Sequence, residues 1–213
     1  ATCISFIAAL NVAASLISSN VYNKILIVSA DKGSIGRNYN EPESASLLGD
    51  AAAAFYLEKN ENAQSGIISY NMQTYPKGSE LTEVRGGGTN LHPQDPNTTV
   101  EDNLFSMNGP MVYKMARKKV YDMIAYDLSN NNLTQSDIDL VVPHQASGMA
   151  VKAYSKYGGF DENKVMDIIS TTGNCVAASI PLAFAMSLDQ KKVENNNLVY
   201  LIGTGAGLSI ASI

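Results

Sequence analysis

The chain has 213 residues, of which 45% are hydrophobic and 16% charged, and its formal net charge is -5. This composition is sufficient for one or two domains with a buried core and excludes a disordered chain. The negative charge argues against nucleic acid as a partner, and the lack of a run of about 18 apolar residues argues against a membrane span. Two cysteines do not make a disulfide framework and "ATCISF" has no signal-peptide pattern, so we expect a soluble, cytoplasmic protein.

The first 60 residues predict one helix and two strands. "CISFIAALNVAASLISSN" is rich in Ala, Leu and Ile and predicts a buried helix that stops at Asn20. "KILIVSAD" predicts a buried, parallel strand because apolar, β-branched residues fill it. "LLGDAAAAFYLEKN" predicts a Gly-Asp corner and a strand that ends near Glu58. A domain boundary is predicted in the polar tract "NENAQS", which divides the chain into units 1–64 and 65–213.

The second unit alternates strands with helices, which is typical of a layered α/β fold. "GIISYNMQTY" predicts a strand, and a long loop rich in Gly and Pro follows. "MNGPMVYKMARKKVYDMIAYDLSNN" predicts the longest helix, whose apolar face includes Met111, Met115 and Val120. "DLVVP" predicts a strand, and "SGMAVKAYSKYG" predicts a helix that ends at Gly158 and Gly159. "VMDIISTTGNCVAASIPLAFAMSLDQKK" predicts strand, turn and helix, and "NNNLVYLIGTGAGLSIASI" predicts two strands around a glycine corner.

The two units resemble unequal copies of each other. Each has a small-residue turn that leads into an apolar helix, "ATCISFIAAL" in the first and "GNCVAASIPLAF" in the second. Each then has a buried strand and a Gly-rich corner. This weak internal repeat predicts a duplicated fold whose first copy lacks its beginning.

Four side chains are candidates for chemistry, and each has an ordinary structural alternative. Cys3 precedes a helix, where backbone N–H groups favour a thiolate, although a cysteine is more often a small buried hydrophobe. His144 follows a buried strand, where α/β proteins place functional groups, although a hydrogen-bonded structural role is more common for a lone histidine. Asn174 either presents its amide to a site or caps a helix. Cys175 is a second thiol or a core filler.

The glycines of "GTGAGL", at positions 203, 205 and 207, resemble a dinucleotide-binding fingerprint. The required context is missing, because no helix follows them. We interpret them as a corner whose backbone N–H groups approach a reacting oxygen. His92 lies in the long loop and is expected to be solvated.

Together these features resemble the ketoacyl-ACP synthase III branch of the thiolase-like condensing enzymes. Six motifs occur in family order: a cysteine at a helix mouth, "LLGDAAAAFYL", "FSMNGPMVYKMA", "PHQAS", "GNCVAASIPLA" and "GTGAGL". The resemblance implies an α/β fold of duplicated βαβαβαββ units in five layers. The first unit would be incomplete, because the family has a further stretch ahead of the nucleophile. It also implies a homodimer.

The resemblance implies specific roles for the candidate residues. Cys3 would attack the thioester of an acyl-CoA and hold the acyl group. His144 and Asn174 would donate hydrogen bonds to the thioester oxygen of a malonyl group and stabilise the enolate formed as carbon dioxide leaves. Acyl-CoA and a malonyl thioester would be substrates, and no cofactor or metal is implied. The substrate-binding and oxyanion set would include Gly205, Gly109 and Gln145.

The chain departs from the family pattern at several positions. Ser147 replaces the asparagine that usually follows "HQA", and Met149 replaces an arginine that helps to dock the carrier protein. Ala51 and Ala53 replace glycines, which requires ordinary φ angles there. Acyl carrier protein is therefore an uncertain partner. Two alternatives stay open: a non-catalytic homologue that acts as a structural partner, and a thiolase-like enzyme that uses CoA thioesters alone.

Overall fold

The computed structural model describes residues 1–60 and 65–213. Its strands are β1 (Lys24–Lys32), β2 (Asp50–Glu58), β3 (Asn71–Thr74), β4 (Thr82–Val84), β5 (Phe105–Met107), β6 (Leu140–Pro143), β7 (Val199–Gly205) and β8 (Ser209–Ser212). Its helices are α1 (Ser5–Ser18), α2 (Pro42–Ala45), α3 (Gly109–Asn130), α4 (Gly148–Gly158), α5 (Ile169–Thr172) and α6 (Ser179–Asp189). The predicted boundary tract lies mostly outside the described residues, so the division into units 1–64 and 65–213 stays a prediction.

A four-stranded sheet with the order β3-β8-β7-β6 is the centre of the fold. β6 and β7 run parallel, and the other pairs are antiparallel. All four residues of β6 are buried, which explains its unbroken apolar sequence. Because Pro143 pairs with Ile202, the carboxyl ends of β6 and β7 lie side by side. The residues that follow these ends, His144 and Gly203 onwards, therefore meet at one edge of the sheet.

Helices α1 and α6 form a layer between this sheet and the β1–β2 pair. One core cluster joins Phe6 of α1 and Ile180 of α6 to Ile27 of β1 and to Val142 of β6. The ring of Phe55 in β2 completes the layer, because it packs on Phe6 at 5.1 Å and on Phe184 at 5.3 Å between ring centroids. The helix predicted from "CISFIAAL" is thus confirmed as a buried element of the interior.

Helices α3 and α4 cover the opposite face of the four-stranded sheet. Val120, Met123 and Ile124 of α3 form a second core cluster with Val151 of α4. The amino-terminal half of α3 does not share this core, because the side chain of Met111 is 50% exposed. The apolar face predicted for α3 therefore holds only from Val120 onwards, where the helix lies over the sheet.

A buried carboxylate fixes α3 to the sheet. Asp127 accepts hydrogen bonds from the Tyr200 hydroxyl at 2.6 Å, the Ser212 hydroxyl at 2.6 Å and the Asn71 amide at 2.9 Å. These donors come from β7, β8 and β3. The network satisfies a group that would be costly to bury unpaired.

The strand predicted from "KILIVSAD" is confirmed as β1, but its predicted parallel pairing and full burial were wrong. β1 pairs antiparallel with β2, from Lys24 opposite Glu58 to Lys32 opposite Asp50. Its burial alternates, and the outward side chains of Leu26 and Val28 are 61% and 62% exposed. Apolar residues occupy both faces of β1, so the sequence could not reveal that only one face is covered in this structure.

A second strand prediction also failed in part. The segment at "VMDI" forms an isolated bridge between Val165 and Val141 rather than a strand. The predicted helix ends are correct, because Asn20 has a φ of 56° and Gly159 a φ of 78°. None of the helices in residues 1–60 and 65–213 is long and apolar enough to cross a membrane.

Candidate active site

Two glycines at the end of β7 allow distant segments to meet. A methyl group added at Gly203 would lie 2.7 Å from Cβ of His144 and 3.1 Å from a side-chain carbon of Ile4. A methyl group added at Gly205 would lie 2.7 Å from the carbonyl oxygen of Ala1. The glycine corner therefore brings the turn that contains Cys3 and the residue after β6 to the same place.

Cys3 lies in a short 3-10 turn, Thr2–Ile4, directly before α1, and is partly buried. Burial, followed by the nearby carboxylate of Asp31, raises the pKa of the Cys3 thiol to about 12. The backbone N–H groups of Cys3 and Ala206 hydrogen-bond to the sulfur and act in the opposite direction. The backbone N–H groups at the start of α1 were expected to lower the pKa of Cys3 and favour a thiolate. Burial raises the pKa by more than these groups lower it, so the thiol form predominates.

Ala206 and Asp31 are site residues that the sequence interpretation missed. The N–H that contacts the Cys3 sulfur belongs to Ala206, the neighbour of the predicted Gly205. The Asp31 carboxylate accepts the N–H of Ala178 at 3.2 Å and lies near enough to Cys175 to help raise the pKa of that thiol as well. An acidic residue near the end of β1 was the available signal for Asp31.

His144 is buried, with 4% of its surface exposed. Its backbone N–H donates to the carbonyl of Ile202 at 2.8 Å, which extends the parallel ladder by one residue. Burial lowers the pKa of His144 to about 4, so the ring is neutral at pH 7. Nδ1 has no hydrogen-bond partner within the described part of the chain. A neutral ring retains one N–H to donate, as the predicted role requires.

Gln145 does not occupy the position that was predicted for it. Its side chain is fully buried, and its amide nitrogen donates to the carbonyls of Pro143 and Met166, both at 3.0 Å. Its amide oxygen accepts the N–H of Ile168 at 3.0 Å. Both amide hydrogens are thus used within the protein. Gln145 holds the end of β6 against the segment that leads to α5, so neither hydrogen of its amide is free for a substrate.

Asn174 lies where two glycine turns cross. Its backbone N–H donates to Leu47 at 2.6 Å, and its carbonyl accepts from Gly49 at 2.9 Å. Its side-chain oxygen accepts the N–H of Val176 at 3.0 Å, which closes an Asx turn, whereas the N-cap of the turn Val176–Ala178 is Cys175. That bond leaves Nδ2 as the donor of this amide. The two segments pack closely here, because a methyl group added at Gly49 would overlap the carbonyl oxygen of Thr172.

The turns that carry Cys3 and follow Asn174 are in contact and are strained. The turn Val176–Ala178 packs against Thr2–Ile4. Val176 has a φ of 50° and Thr2 a φ of 31°, values that β-branched residues rarely adopt. Backbone strain of this kind concentrates at functional sites.

A cavity of about 470 Å³ adjoins the site between α3 and α4. His144, Gly109, Ser147 and Thr204 line it, whereas Cys3 and Asn174 do not. The predicted placement of Gly109 beside a substrate is compatible with this position at the start of α3. The sequence interpretation missed several lining residues, and their regular spacing on α3 and α4 was the available signal: Tyr113, Arg117, Val120, Met149, Ala150 and Ala153.

The other candidates have structural positions. Cys175 is buried and its thiol donates to the carbonyl of Thr172 at 3.3 Å. Ala51 and Ala53 lie in β2 with ordinary φ angles, as their replacement of glycine required. His92 is exposed, as expected, and its Nδ1 accepts the N–H of Gln94.

Comparisons with known proteins agree with this arrangement. Residues 1–76 match the family model of 3-oxoacyl-[acyl-carrier-protein] synthase III, and residues 128–213 match the model of its C-terminal part. The whole chain is 36% identical to the beta-ketoacyl-[acyl-carrier-protein] synthase III of Wolbachia pipientis wMel and covers 64% of that protein. It is 33% identical to the synthase III of Synechocystis and again covers 64%.

Solved structures give the same result. The synthase III of Pseudomonas aeruginosa superimposes with a TM-score of 0.87 at 27% identity, and the whole chain covers 63% of that protein. The Thermus thermophilus synthase III gives 0.87 at 29% identity and 64% coverage. The layered fold is that of a thiolase-like α/β protein. This chain belongs to the 3-oxoacyl-[acyl-carrier-protein] synthase III family, and it spans 63 to 65% of the length of the curated relatives it matches.

Proposed function

We propose that this chain carries the reacting groups of an acyltransferase that performs a decarboxylative Claisen condensation. The substrates would be an acyl-CoA and a malonyl thioester, as in the initiation of fatty acid synthesis or a related pathway. The observation that carries the proposal is the contact of Gly203 with both His144 and Ile4. This contact joins a neutral histidine, which opens onto a large cavity, to the turn that holds a cysteine.

Acyl transfer would come first. The sulfur of Cys3 attacks the thioester carbonyl of acyl-CoA, the carbonyl oxygen becomes negative, and the CoA sulfur then leaves with the proton of the thiol. The backbone N–H groups at the sulfur, from Cys3 and from the 205–206 corner, are suited to stabilise that oxyanion. Because the thiol pKa is about 12, proton loss has to accompany attack rather than precede it.

Condensation would follow. The malonyl carboxylate leaves as carbon dioxide, and its bonding electrons pass to the thioester oxygen as an enolate. His144 and the Nδ2 group of Asn174 would donate hydrogen bonds to that oxygen. The enolate carbon then attacks the acyl group on Cys3, a carbon–carbon bond forms, and the sulfur leaves and takes a proton from solvent. A neutral His144 suits this donor role at pH 7.

The carrier of the malonyl group is part of the same proposal. Acyl carrier protein is one candidate, and Met149, at 63% exposure beside the cavity, leaves the alternative of CoA thioesters alone. Measuring turnover with malonyl-CoA and with malonyl-ACP at equal concentration separates the two. We also propose that the protein acts as a homodimer in the cytoplasm, which the molar mass in solution tests in part.

One observation favours a second candidate, a non-catalytic homologue with a structural role. The pKa of Cys3 is raised to about 12, so less than about one molecule in ten thousand has the thiolate at pH 7. A nucleophile in this state reacts slowly unless bound substrate changes its surroundings.

Mass spectrometry after incubation with acetyl-CoA distinguishes the two candidates. The enzyme is expected to gain one acetyl group on the peptide that contains Cys3, and Cys3→Ala should abolish the gain. Cys175→Ala is the matched control, because it removes the other thiol and should acylate normally. An adduct that persists in Cys3→Ala, or maps to Cys175, would contradict the assignment. No adduct on any variant would favour the structural role.

A further inference from the structure

A second cavity, of about 320 Å³, lies at the opposite end of strands β6 and β7 from His144. It is bounded by residues 198–201 at the start of β7 and by Asp127 in the last turn of α3. Val199 of β7 lines this cavity and Thr204 lines the cavity between α3 and α4, so the two are roughly 16 Å apart along the strand. The described residues that line one cavity do not line the other. The second cavity is therefore a separate place, which the proposed acyl transfer does not use.

The wall of the second cavity is mostly apolar. Side chains from several segments form most of it: Leu10, Leu128, Leu133, Ile138, Phe184 and Leu198. Asp127 is the one charged side chain among the described residues that line it. Ile67 lies on its rim and is 45% exposed, so the cavity opens to solvent there. A cavity of this size and character is typical of a site for a small organic ligand.

Asp127 brings a negative charge to this wall without a positive partner. Its side chain is buried, with 6% of the residue exposed. The ion pair of the described ranges joins Arg85 and Asp102, so no Lys, Arg or His neutralises Asp127 there. Its hydrogen-bond donors, two hydroxyls and one amide, are neutral groups. Burial and the Asp127 charge raise the pKa of Tyr200 well above its usual value, so that hydroxyl keeps its proton and remains a donor. A buried charge that lacks an opposite charge is available to a ligand cation.

Hydrogen-bond acceptors also remain free at this cavity. A carboxylate accepts about four hydrogen bonds, whereas Asp127 accepts two at Oδ2 and one, from Asn71, at Oδ1. Asn131 lines the same cavity, and its amide nitrogen donates to the Asp127 carbonyl at 2.8 Å. Its amide oxygen accepts no hydrogen bond from residues 1–60 or 65–213. An ammonium group has three N–H donors and no acceptor, so it complements these oxygens in both charge and hydrogen bonding.

We propose that this cavity binds a small organic ammonium ion, which donates to Oδ1 of Asp127 while its apolar body packs against Leu133 and Phe184. A volume of 320 Å³ holds about ten non-hydrogen atoms, if each takes the share of one water, about 30 Å³. The ligand class is therefore a monoamine with a compact aromatic or branched body. A bare metal ion would leave the apolar wall unused, and a neutral ligand would leave the Asp127 charge unpaired. This inference goes beyond the proposed condensation and does not depend on it.

Isothermal titration of the 213-residue chain with phenethylamine and with 2-phenylethanol, both at pH 7, tests the proposal. The two probes share one aromatic body and differ in an ammonium against a hydroxyl group. The wild type is expected to bind the amine roughly tenfold more tightly. Asp127→Asn should weaken the amine roughly tenfold and leave the alcohol nearly unchanged. Asp122→Asn is the matched control, because it removes an exposed carboxylate of α3 outside the cavity lining.

A wild-type chain that binds the two probes equally, or binds neither, would overturn the proposal. An Asp127→Asn variant that keeps the preference for the amine, or loses both probes alike, would overturn it too. If that variant does not fold, Ile67→Trp narrows the cavity from its exposed rim and should weaken both probes. Ile35→Trp, at a 76% exposed position outside the lining, is its control.

Unchanged binding in Ile67→Trp would place the amine elsewhere and contradict the assignment. These titrations involve no reaction at Cys3. A protein that fails to form the acetyl adduct can therefore still bind the amine, and the two proposals fail separately.

Discussion

Gly203 and His144 lie in contact across the parallel strands β6 and β7. A methyl group on Gly203 would be 2.7 Å from Cβ of His144, a separation that side chains essentially do not reach. The next ladder bond, from His144 N–H to the Ile202 carbonyl, fixes the histidine backbone at this distance. The position of the histidine is thus set by the lack of a side chain on the neighbouring strand.

Replacing Gly203 with alanine is expected to destabilise the fold and displace His144. Overpacking a close-packed core costs about 1–3 kcal/mol, and neither His144 nor Ile180 is free to move. Urea denaturation measures the change. Gly88→Ala is the matched control, because a methyl group there meets nothing within 4 Å. If Gly203→Ala and Gly88→Ala were equally stable, the close contact between Gly203 and His144 would be contradicted.

The neutral, buried state of His144 predicts a loss of stability in acid. The unfolded chain binds a proton at this position below its ordinary pKa of 6.5, whereas the folded chain does so only near 4. Above pH 6.5 the neutral ring therefore contributes its full stabilisation, about 3 kcal/mol, to the free energy of unfolding. This contribution is lost as the pH falls towards 4. His144→Asn should show a correspondingly smaller difference in unfolding free energy between pH 7 and pH 4.5.

The second histidine provides the control for that measurement. His92 is exposed, so His92→Asn should retain the full acid loss of the wild type. Carboxylates titrate equally in all three proteins and cancel in the comparison. A His144→Asn variant whose pH dependence matches that of the wild type would show that the ring is not held neutral.

The rate at which the Cys3 thiol is alkylated is expected to rise continuously as the pH increases from 7 to 10. With a pKa of about 12, the thiolate fraction grows roughly tenfold per pH unit over this range, so alkylation by iodoacetamide should show no plateau. Asp31→Asn removes the carboxylate that raises this pKa and should increase the rate. Mass spectrometry of the Cys3 peptide in a Cys175→Ala background gives the rates.

Asp50→Asn is the control for the Asp31 variant, because Asp50 acts on Cys175 and not on Cys3. A plateau of the wild-type rate below pH 9 would mean that the thiol is not shielded by burial. If Asp31→Asn left the alkylation rate of Cys3 unchanged, the Asp31 carboxylate would not influence the pKa of that thiol.

Gln145→Leu is expected to destabilise the protein by about 3 kcal/mol. It leaves the Ile168 N–H and the carbonyls of Pro143 and Met166 buried without partners. Gln94→Leu, in the exposed loop, is the control and should have little effect. If Gln145→Leu kept its stability but bound substrate more weakly, the result would instead support the predicted contact of Gln145 with substrate.

The sequence determined most of the local elements and the order of the motifs along the chain. The apolar composition of α1, the helix stops at Asn20 and Gly159, and the short buried strand β6 follow from residue preferences that act over a few positions. The order of the motifs from Cys3 to "GTGAGL" was enough to indicate the family that the comparisons confirm. These are properties of single segments or of their order along the chain.

The tertiary structure decided what surrounds each group. Gln145 turned into the core because three backbone groups from two segments converge on its amide, and the backbone N–H of Ala206 lies at the Cys3 sulfur. The direction of β1, the neutral ring of His144 and the raised pKa of Cys3 depend on which faces other segments cover. Burial and hydrogen-bond partners arise from contacts between residues far apart in sequence, so no local pattern encodes them.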